Sequence, residues 1–355
     1  MRSVVIDKPG IVTVRDLPDP IPGAGEIVID VRVCGFCGTD LHIFRGEYLG
    51  EYPVRPGHEA AGVVSAVGEG VTDLKVGDRV AIEPNIHCGD CAMCQSGRGN
   101  FCENWTAIGV TLPGCCAEKV LAPVGQVFSI GELPFEAGAF MEPLSCCLHG
   151  MKKIEPIEDE DVLIIGAGPI GLLLLQLARL RGACRVTVTD LREARLKLAR
   201  DLGADETICV KTCGTAAPGC ASTKDITAEG GRATSEAGYD TVIDASGNVG
   251  AIAQTIDLVR PGGKVLWFGV APAGETFPIE PFRVFRKGLS IHGAFTSLGN
   301  STDAIELLAG ARLQVAPLIS HRLSIDEFEQ AARLIEHDPD VLKTVSYTHL
   351  TLPTN

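Results

Sequence analysis

Residues 161–190 read DVLIIGAGPIGLLLLQLARLRGACRVTVTD. The run VLII is apolar without alternation, as expected of a strand buried on both faces. It breaks into GAGPIG, where Gly166, Gly168 and Gly171 punctuate a tight turn, and GLLLLQLARL then continues with the length and composition of a helix. A second apolar strand, VTVT, ends in Asp190. Gly-x-Gly-x-x-Gly alone is a weak signal. Set between a strand and a helix, with an acid at the end of the next strand, it is the context a dinucleotide requires. The glycines let the backbone approach a pyrophosphate at the helix N-terminus, where the dipole favours anions. Asp190 would bind the ribose hydroxyls and repel a 2′-phosphate, which favours NAD. Arg192 and Arg195 follow closely and leave NADP as the open alternative.

Working outward, EARLKLARDLGA (193–204) and AIAQTIDLVR (251–260) read as helices, and YDTVIDASG (239–247) and GGKVLWFGV (262–270) as buried strands. Alternating strand and helix predicts a doubly wound parallel sheet with helices on both faces. Residues 211–238, rich in Ala, Gly, Ser and Thr, read as an irregular loop or insertion. Upstream the pattern is different: short β-branched runs at 27–33, 61–67 and 79–82 lie between Gly and Pro turns, and GHEAAGVVSAVG (57–68) reads as a strand pair. Mixed structure returns late in the chain. The expected organisation is an α/β protein in which residues 1–146 and 284–355 form a discontinuous β-rich domain and residues 147–283 the nucleotide domain. The last stretch, VSYTHLTLPTN (345–355), does not continue the preceding helical pattern. It reads as foreign sequence, as from a cloning junction, rather than as part of this fold, and no role is expected of it.

Two groups of residues carry metal chemistry. Cys88, Cys91, Cys94 and Cys102 have tight spacing, and four thiolates can enclose one tetrahedral zinc in a closed, structural site. Four thiolates also suit an iron–sulfur cluster, which the spacing alone leaves open. Cys37-Gly-Thr39-Asp40-Leu-His42 and the later Gly57-His58-Glu59 offer a thiolate, an imidazole and a carboxylate. Such a mixed set leaves room for water or substrate, as catalytic zinc sites do. Glu142, in Met141-Glu142-Pro143-Leu144, is a further acid that could ligate or hold a water, or simply open a helix. The remaining cysteines lack ligand spacing and read as small core or loop residues.

The chain has 355 residues, 45% hydrophobic, with a formal net charge of −14. That charge disfavours nucleic acid and anionic membrane surfaces as partners. The N-terminal MRSVVIDKPG carries no apolar run of signal-peptide length, and the greasiest stretch, 170–180, is too short to span a bilayer. A cytoplasmic location is the expectation, and with it 14 cysteines used for metal or packing rather than disulfides.

Taken in order, GFCGTDLH, PGHEAAGVV, the four-cysteine loop, MEPLSCCLHG, GAGPIG and the VTD strand end resemble the zinc-containing medium-chain dehydrogenase/reductase family, over about residues 1–344. The likeness is greatest to its sorbitol, polyol and threonine dehydrogenases. The resemblance implies a GroES-like catalytic domain beside a Rossmann domain, catalytic zinc on Cys37, His58 and Glu59 with Glu142 close to it, and structural zinc on the four-cysteine loop. It further implies that Thr39 takes the hydroxyl proton and His42 passes it to solvent. Ile170, Asp190 and Arg195 would contact NAD, with Phe268, Gly269, Val270, Ala294 and Phe295 against its nicotinamide. By position, Ile43, Phe44, Tyr48, Thr111 and Phe295 would line the substrate pocket. The expected reaction is reversible transfer of hydride from a small secondary alcohol, a polyol or sugar alcohol, to NAD, by a homo-oligomer (dimer or tetramer). The alternatives are an L-threonine-type amino-alcohol dehydrogenase and a non-catalytic dinucleotide-binding protein on the same scaffold. Two departures stand out. Thr296-Ser297 replace the Arg-Tyr pair of sorbitol dehydrogenases, which disfavours sorbitol itself, and Cys116 replaces a Phe, with either a larger pocket or altered packing as the consequence.

Overall fold

The computed structural model describes residues 1–48, 51–210, 238–338 and 340–348. The loop read at 211–238 therefore lies, up to Gly238, outside the described residues. The chain divides into two compact units, residues 1–145 with 296–355 and residues 146–295.

In the second unit the apolar runs form six parallel strands. Their spatial order is Glu206–Cys209, Arg185–Asp190, Asp161–Ile165, Tyr239–Asp244, Val259–Trp267 and Ser290–Gly293. In chain order this is 3-2-1-4-5-6, the dinucleotide-binding arrangement, whose direction reverses between Asp161–Ile165 and Tyr239–Asp244. Val162, Leu163 and Ile164 are fully buried, which is why this strand does not alternate. The helix Pro169–Leu180 follows, with Gly168 as its N-cap and Pro169 in its first turn, and every residue from Gly171 to Ala178 is buried. The last strand, Ser290–Gly293, lies beyond residue 283, where the sequence reading ended this domain. Its partners, Lys264 to Trp267, extend the sheet by one strand whose short, half-exposed SIHG carries little hydrophobic signal.

The first unit is built on a mixed seven-stranded sheet. Its order is Ile319–Ser324, Lys343–Tyr347, Glu26–Phe36, Glu59–Val67, Arg79–Ile82 and Val127–Ser129, with Lys119–Pro123 also paired to Glu26–Phe36. GHEAAGVVSAVG is not a strand pair but one strand, Glu59–Val67, bent where its register with Glu26–Phe36 shifts. The core behind it gathers Val4, Ile6, Ile27, Ile29, Val31, Val64, Val80 and Ile82.

The chain end also departs from the sequence reading. Lys343–Tyr347 is a strand, hydrogen-bonded antiparallel to Glu26–Phe36 and parallel to Ile319–Ser324. Val345 is buried, the Tyr347 hydroxyl donates to Glu136, and the Thr348 hydroxyl donates to the Val31 carbonyl. The residues through Thr348 thus complete the sheet rather than replace a strand. The polar Tyr347 and Thr348 side chains, which obscure the pattern, are satisfied within it.

A Cβ at Gly171 would lie 1.8 Å from the Gly166 carbonyl oxygen, so the turn has no room for a side chain. Gly171→Ala is expected to destabilise the protein by about 2 kcal/mol or more, read from denaturant unfolding. A change within about 0.5 kcal/mol would show that the turn relaxes freely.

Candidate metal centres and cofactor site

The four-cysteine loop is the simplest case. Short helical turns at Ala92–Gln95 and Gly99–Phe101 fold residues 88–102 back on themselves. The Cys91–Cys94 and Cys88–Cys102 sulfurs are 3.5 Å apart, and Cys88–Cys94 and Cys91–Cys102 are 3.9 Å apart. A tetrahedron of thiolates about 2.3 Å from a central zinc has edges of about 3.8 Å. The sulfurs therefore fit one metal ion. They stand too close together to enclose a multi-iron cluster, whose thiolates are spread over two or more irons. Backbone N–H groups of Cys94 and Glu103 push the Cys91 thiol down to about 6, while desolvation and neighbouring thiols push Cys94 up to about 12. A central cation removes that conflict by favouring all four thiolates together.

The second centre lies at one end of the mixed sheet. Cys37 follows the strand Glu26–Phe36 and is the N-cap of the helix Gly38–Arg45. Glu59 opens the neighbouring strand, opposite Gly35, and His58 immediately precedes it. The ligand atoms of Cys37, His58 and Glu59 all lie within 4.8 Å of one another. His58 and Glu59 are buried; His58 Nδ1 makes no hydrogen bond of good geometry, and Glu59 Oε2 is paired with the Lys343 ammonium. Buried polar atoms are costly unless partnered. A thiol, an imidazole and a carboxylate converging in this way suit a metal ion. Glu142, in the helix Met141–Lys152, is buried but stands outside this cluster of three.

Two residues that carried no signal in the sequence organise the centre. Asp40, fully buried, accepts hydrogen bonds from the Cys37 N–H (2.9 Å) and the Gly57 N–H (3.0 Å), and its Oδ1 lies 3.5 Å from His58 Nδ1. Burial pushes the His58 imidazolium down. Asp40 and the Cys37 sulfur outweigh it, leaving the His58 pKa well above the ordinary histidine value. Lys343, also buried, forms an ion pair with Glu59 Oε2. Burial opposes its charge, but Glu59, Cys37 and Glu142 together raise its pKa above the ordinary lysine value.

Thr39 and His42 lie on the helix that starts at Cys37, and His42 Nδ1 is 2.8 Å from Glu47 Oε2. Of the residues placed in the pocket by position, Ile43 is instead fully buried in the core. Thr111 closes its own turn, accepting from the Ala107 N–H at 2.8 Å. Cys116 is buried with its sulfur 3.8 Å from that of Cys34, so its exchange for a larger residue changes packing.

In the second unit the residues read as cofactor contacts gather at the carboxyl ends of the parallel strands. Gly166 to Gly171 follow Asp161–Ile165, Asp190 ends Arg185–Asp190, Phe268 to Val270 follow Val259–Trp267, and Ala294 and Phe295 follow Ser290–Gly293. This is the edge where open α/β sheets bind ligands. Asp190 accepts from the Ala167 N–H (2.7 Å) and the Arg192 N–H (2.9 Å), so its carboxylate is fixed against the glycine turn. Ile170 and Arg195 are half-buried. Asp244, unnoticed in the sequence, is buried and accepts from Ser246 and Gly247. Its backbone carbonyl also receives the Phe268 and Gly269 N–H groups, so it holds both turns together.

Comparison with known proteins agrees with this architecture. A model of the alcohol dehydrogenase GroES-like domain matches residues 23–132, and one of the zinc-binding dehydrogenase domain matches residues 169–310. D-altritol 5-dehydrogenase of Agrobacterium fabrum is 34% identical, covering 96% of this chain and 95% of its own. L-threonine 3-dehydrogenase of Xanthomonas campestris pv. campestris is 33% identical, covering 91% and 92%. A crystal structure described as a zinc-binding dehydrogenase from Sinorhizobium meliloti 1021 bound to NADP superposes with a TM-score of 0.90, at 35% identity over 98% of this chain and 99% of that one. The chain belongs to the zinc-containing medium-chain dehydrogenase/reductase family and is an oxidoreductase. No helix among the described residues is long and apolar enough to cross a membrane.

Cys91→Ser should remove the ion held by the four-cysteine loop without touching the other centre. Metal analysis should show one fewer zinc per chain, and the thermal midpoint should fall by several degrees, as for a loop closed by a structural metal. An unchanged zinc content would contradict a four-thiolate site.

Proposed function

We propose that this chain catalyses the reversible oxidation of a secondary alcohol of a small polyol or sugar alcohol, with zinc on Cys37, His58 and Glu59 and NAD on the parallel sheet. The convergence of those three side chains within 4.8 Å carries the proposal. When bound, zinc supplies Lewis-acid polarisation of the substrate hydroxyl and the nicotinamide supplies the hydride acceptor. The chain's own residues do the rest. Asp40 faces Nδ1 of His58, which orients the ring and leaves Nε2 for the metal. Thr39 accepts the hydroxyl proton as it gives up its own, and His42, held by Glu47, takes up the relayed proton and releases one to solvent. Glu142 holds a water or substrate oxygen near the metal. The glycine turn cradles the pyrophosphate and Asp190 takes the ribose hydroxyls. A carboxylate fixed at that place repels a 2′-phosphate, which supports NAD over NADP although a relative of this fold binds NADP. An L-threonine-type reaction is the second reading, supported by the threonine dehydrogenase relative at nearly the same identity. We take the working form to be a homo-oligomer.

NAD reduction measured over polyols, 2,3-butanediol and L-threonine distinguishes the readings, with a polyol expected to give the highest kcat/KM. Cys37→Ser should lower turnover by about a thousandfold or more while far-UV circular dichroism and NAD binding remain native. Near-normal turnover with zinc still bound would sink the assignment. Asp190→Ala should shift the NAD-to-NADP preference towards NADP by about tenfold or more, equivalent to about 1.4 kcal/mol. An unshifted ratio would show that Asp190 does not read the ribose.

A further inference from the structure

Lys343 is a buried lysine at the mixed centre, and its charge opposes a metal. It comes from the far end of the chain, on the strand Lys343–Tyr347, and reaches Glu59 across the intervening strand Glu26–Phe36. Gly35 is what permits this. A Cβ there would lie 2.2 Å from Glu59 Oε2 and 3.0 Å from Lys343 Cε, so the absence of a side chain opens the space the ion pair fills. Three adjacent strands thus contribute Glu59, Gly35 and Lys343 to one buried point. Both side chains of the pair are at most 7% exposed.

Burying a lysine is expensive, and a buried pair is tolerated only when each charge is met. Lys343 and Glu59 meet that condition without a metal. When a divalent cation enters between Cys37, His58 and Glu59, the carboxylate serves two cations, and Lys343 repels the incoming ion through a low-dielectric interior. We propose that Lys343 is a positioning residue that sets the strength of the Glu59–metal bond: it neutralises Glu59 in the metal-free protein and shares the carboxylate once the metal is bound. Glu59 is thereby a weaker donor than Cys37 or His58. The centre assembles before metal arrives and holds the metal less tightly than its ligand set alone would. The proposal rests on reading Cys37, His58 and Glu59 as metal ligands.

The test uses the full chain with the four-cysteine loop loaded and the second zinc titrated in competition with a chromophoric chelator. For K343M the dissociation constant of the second zinc should fall at least tenfold relative to wild type, and the thermal midpoint of the protein stripped of that zinc should fall, because Glu59 is then buried unpaired. K343R, which keeps the charge, should follow wild type in both. K343Q serves if K343M does not fold, with the same direction expected. An unchanged or weaker zinc affinity in the uncharged variants overturns the proposal. Wild-type protein that takes up no second zinc overturns instead the ligand reading beneath it, so the two failures are told apart.

Discussion

The register of the strand Glu26–Phe36 is the constraint on which the first unit depends. It is hydrogen-bonded to Glu59–Val67 on one edge and to Lys343–Tyr347 on the other, with Gly35 opposite Glu59 and Val345. A one-residue slip in a sheet sends every side chain to the opposite face. Here it would separate Glu59 from both Cys37 and Lys343 at once. The buried apolar residues on this strand, Ile27, Ile29, Val31 and Val33, make such a slip costly. The hydrophobic core therefore fixes the geometry of the polar centre. Asp40 continues the same logic past the strand end. By accepting from both Cys37 and Gly57 it locks the helix start to the His58 turn.

The second unit depends on a different constraint, the crowding of backbone at the ends of parallel strands. Gly171 lies against the Gly166 carbonyl, and a Cβ at Gly269 would fall 2.1 Å from the Gly247 nitrogen. These approaches leave N–H groups and a helix N-terminus facing outward where the strand order reverses, which is how such sheets make an anion site. Asp190 and Asp244 both spend their carboxylates on backbone N–H groups of these turns. Asp190 has a second use because it also ends a strand at the ligand edge.

What the sequence made legible follows from how local each signal is. The glycine turn and the four-cysteine loop are contiguous, and their chemistry is written within about one or two turns of chain. Cys37, His58 and Glu59 are separated by twenty residues or so but fall in short recognisable motifs. Lys343 has no such context. It is one lysine in KTVSY, and only the sheet order brings it to Glu59. The same stretch hides the last strand, because the Thr348 and Tyr347 side chains, which bond to Val31 and Glu136, look like solvent-exposed residues when the partners are unknown. The boundary at 283 falls short for a related reason: as an edge strand, Ser290–Gly293 buries little, and its four residues carry no alternation to tie them to the nucleotide sheet. Ile43 fell the other way. Cys37 and Asp40 of the same motif belong to the metal centre, but the 3.6-residue helical period turns Ile43, like Leu41, into the core.

The central claim is that strand register builds a second, mixed-ligand metal centre beside a closed four-thiolate one. Zinc K-edge absorption on the purified protein, with zinc content measured on the same sample, tests it most directly. The account predicts about two zinc ions per chain, with sulfur neighbours at about 2.3 Å from the loop cysteines and Cys37 and a lighter shell of nitrogen and oxygen at about 2.0–2.2 Å from His58 and Glu59. A single zinc per chain surrounded only by sulfur would contradict it.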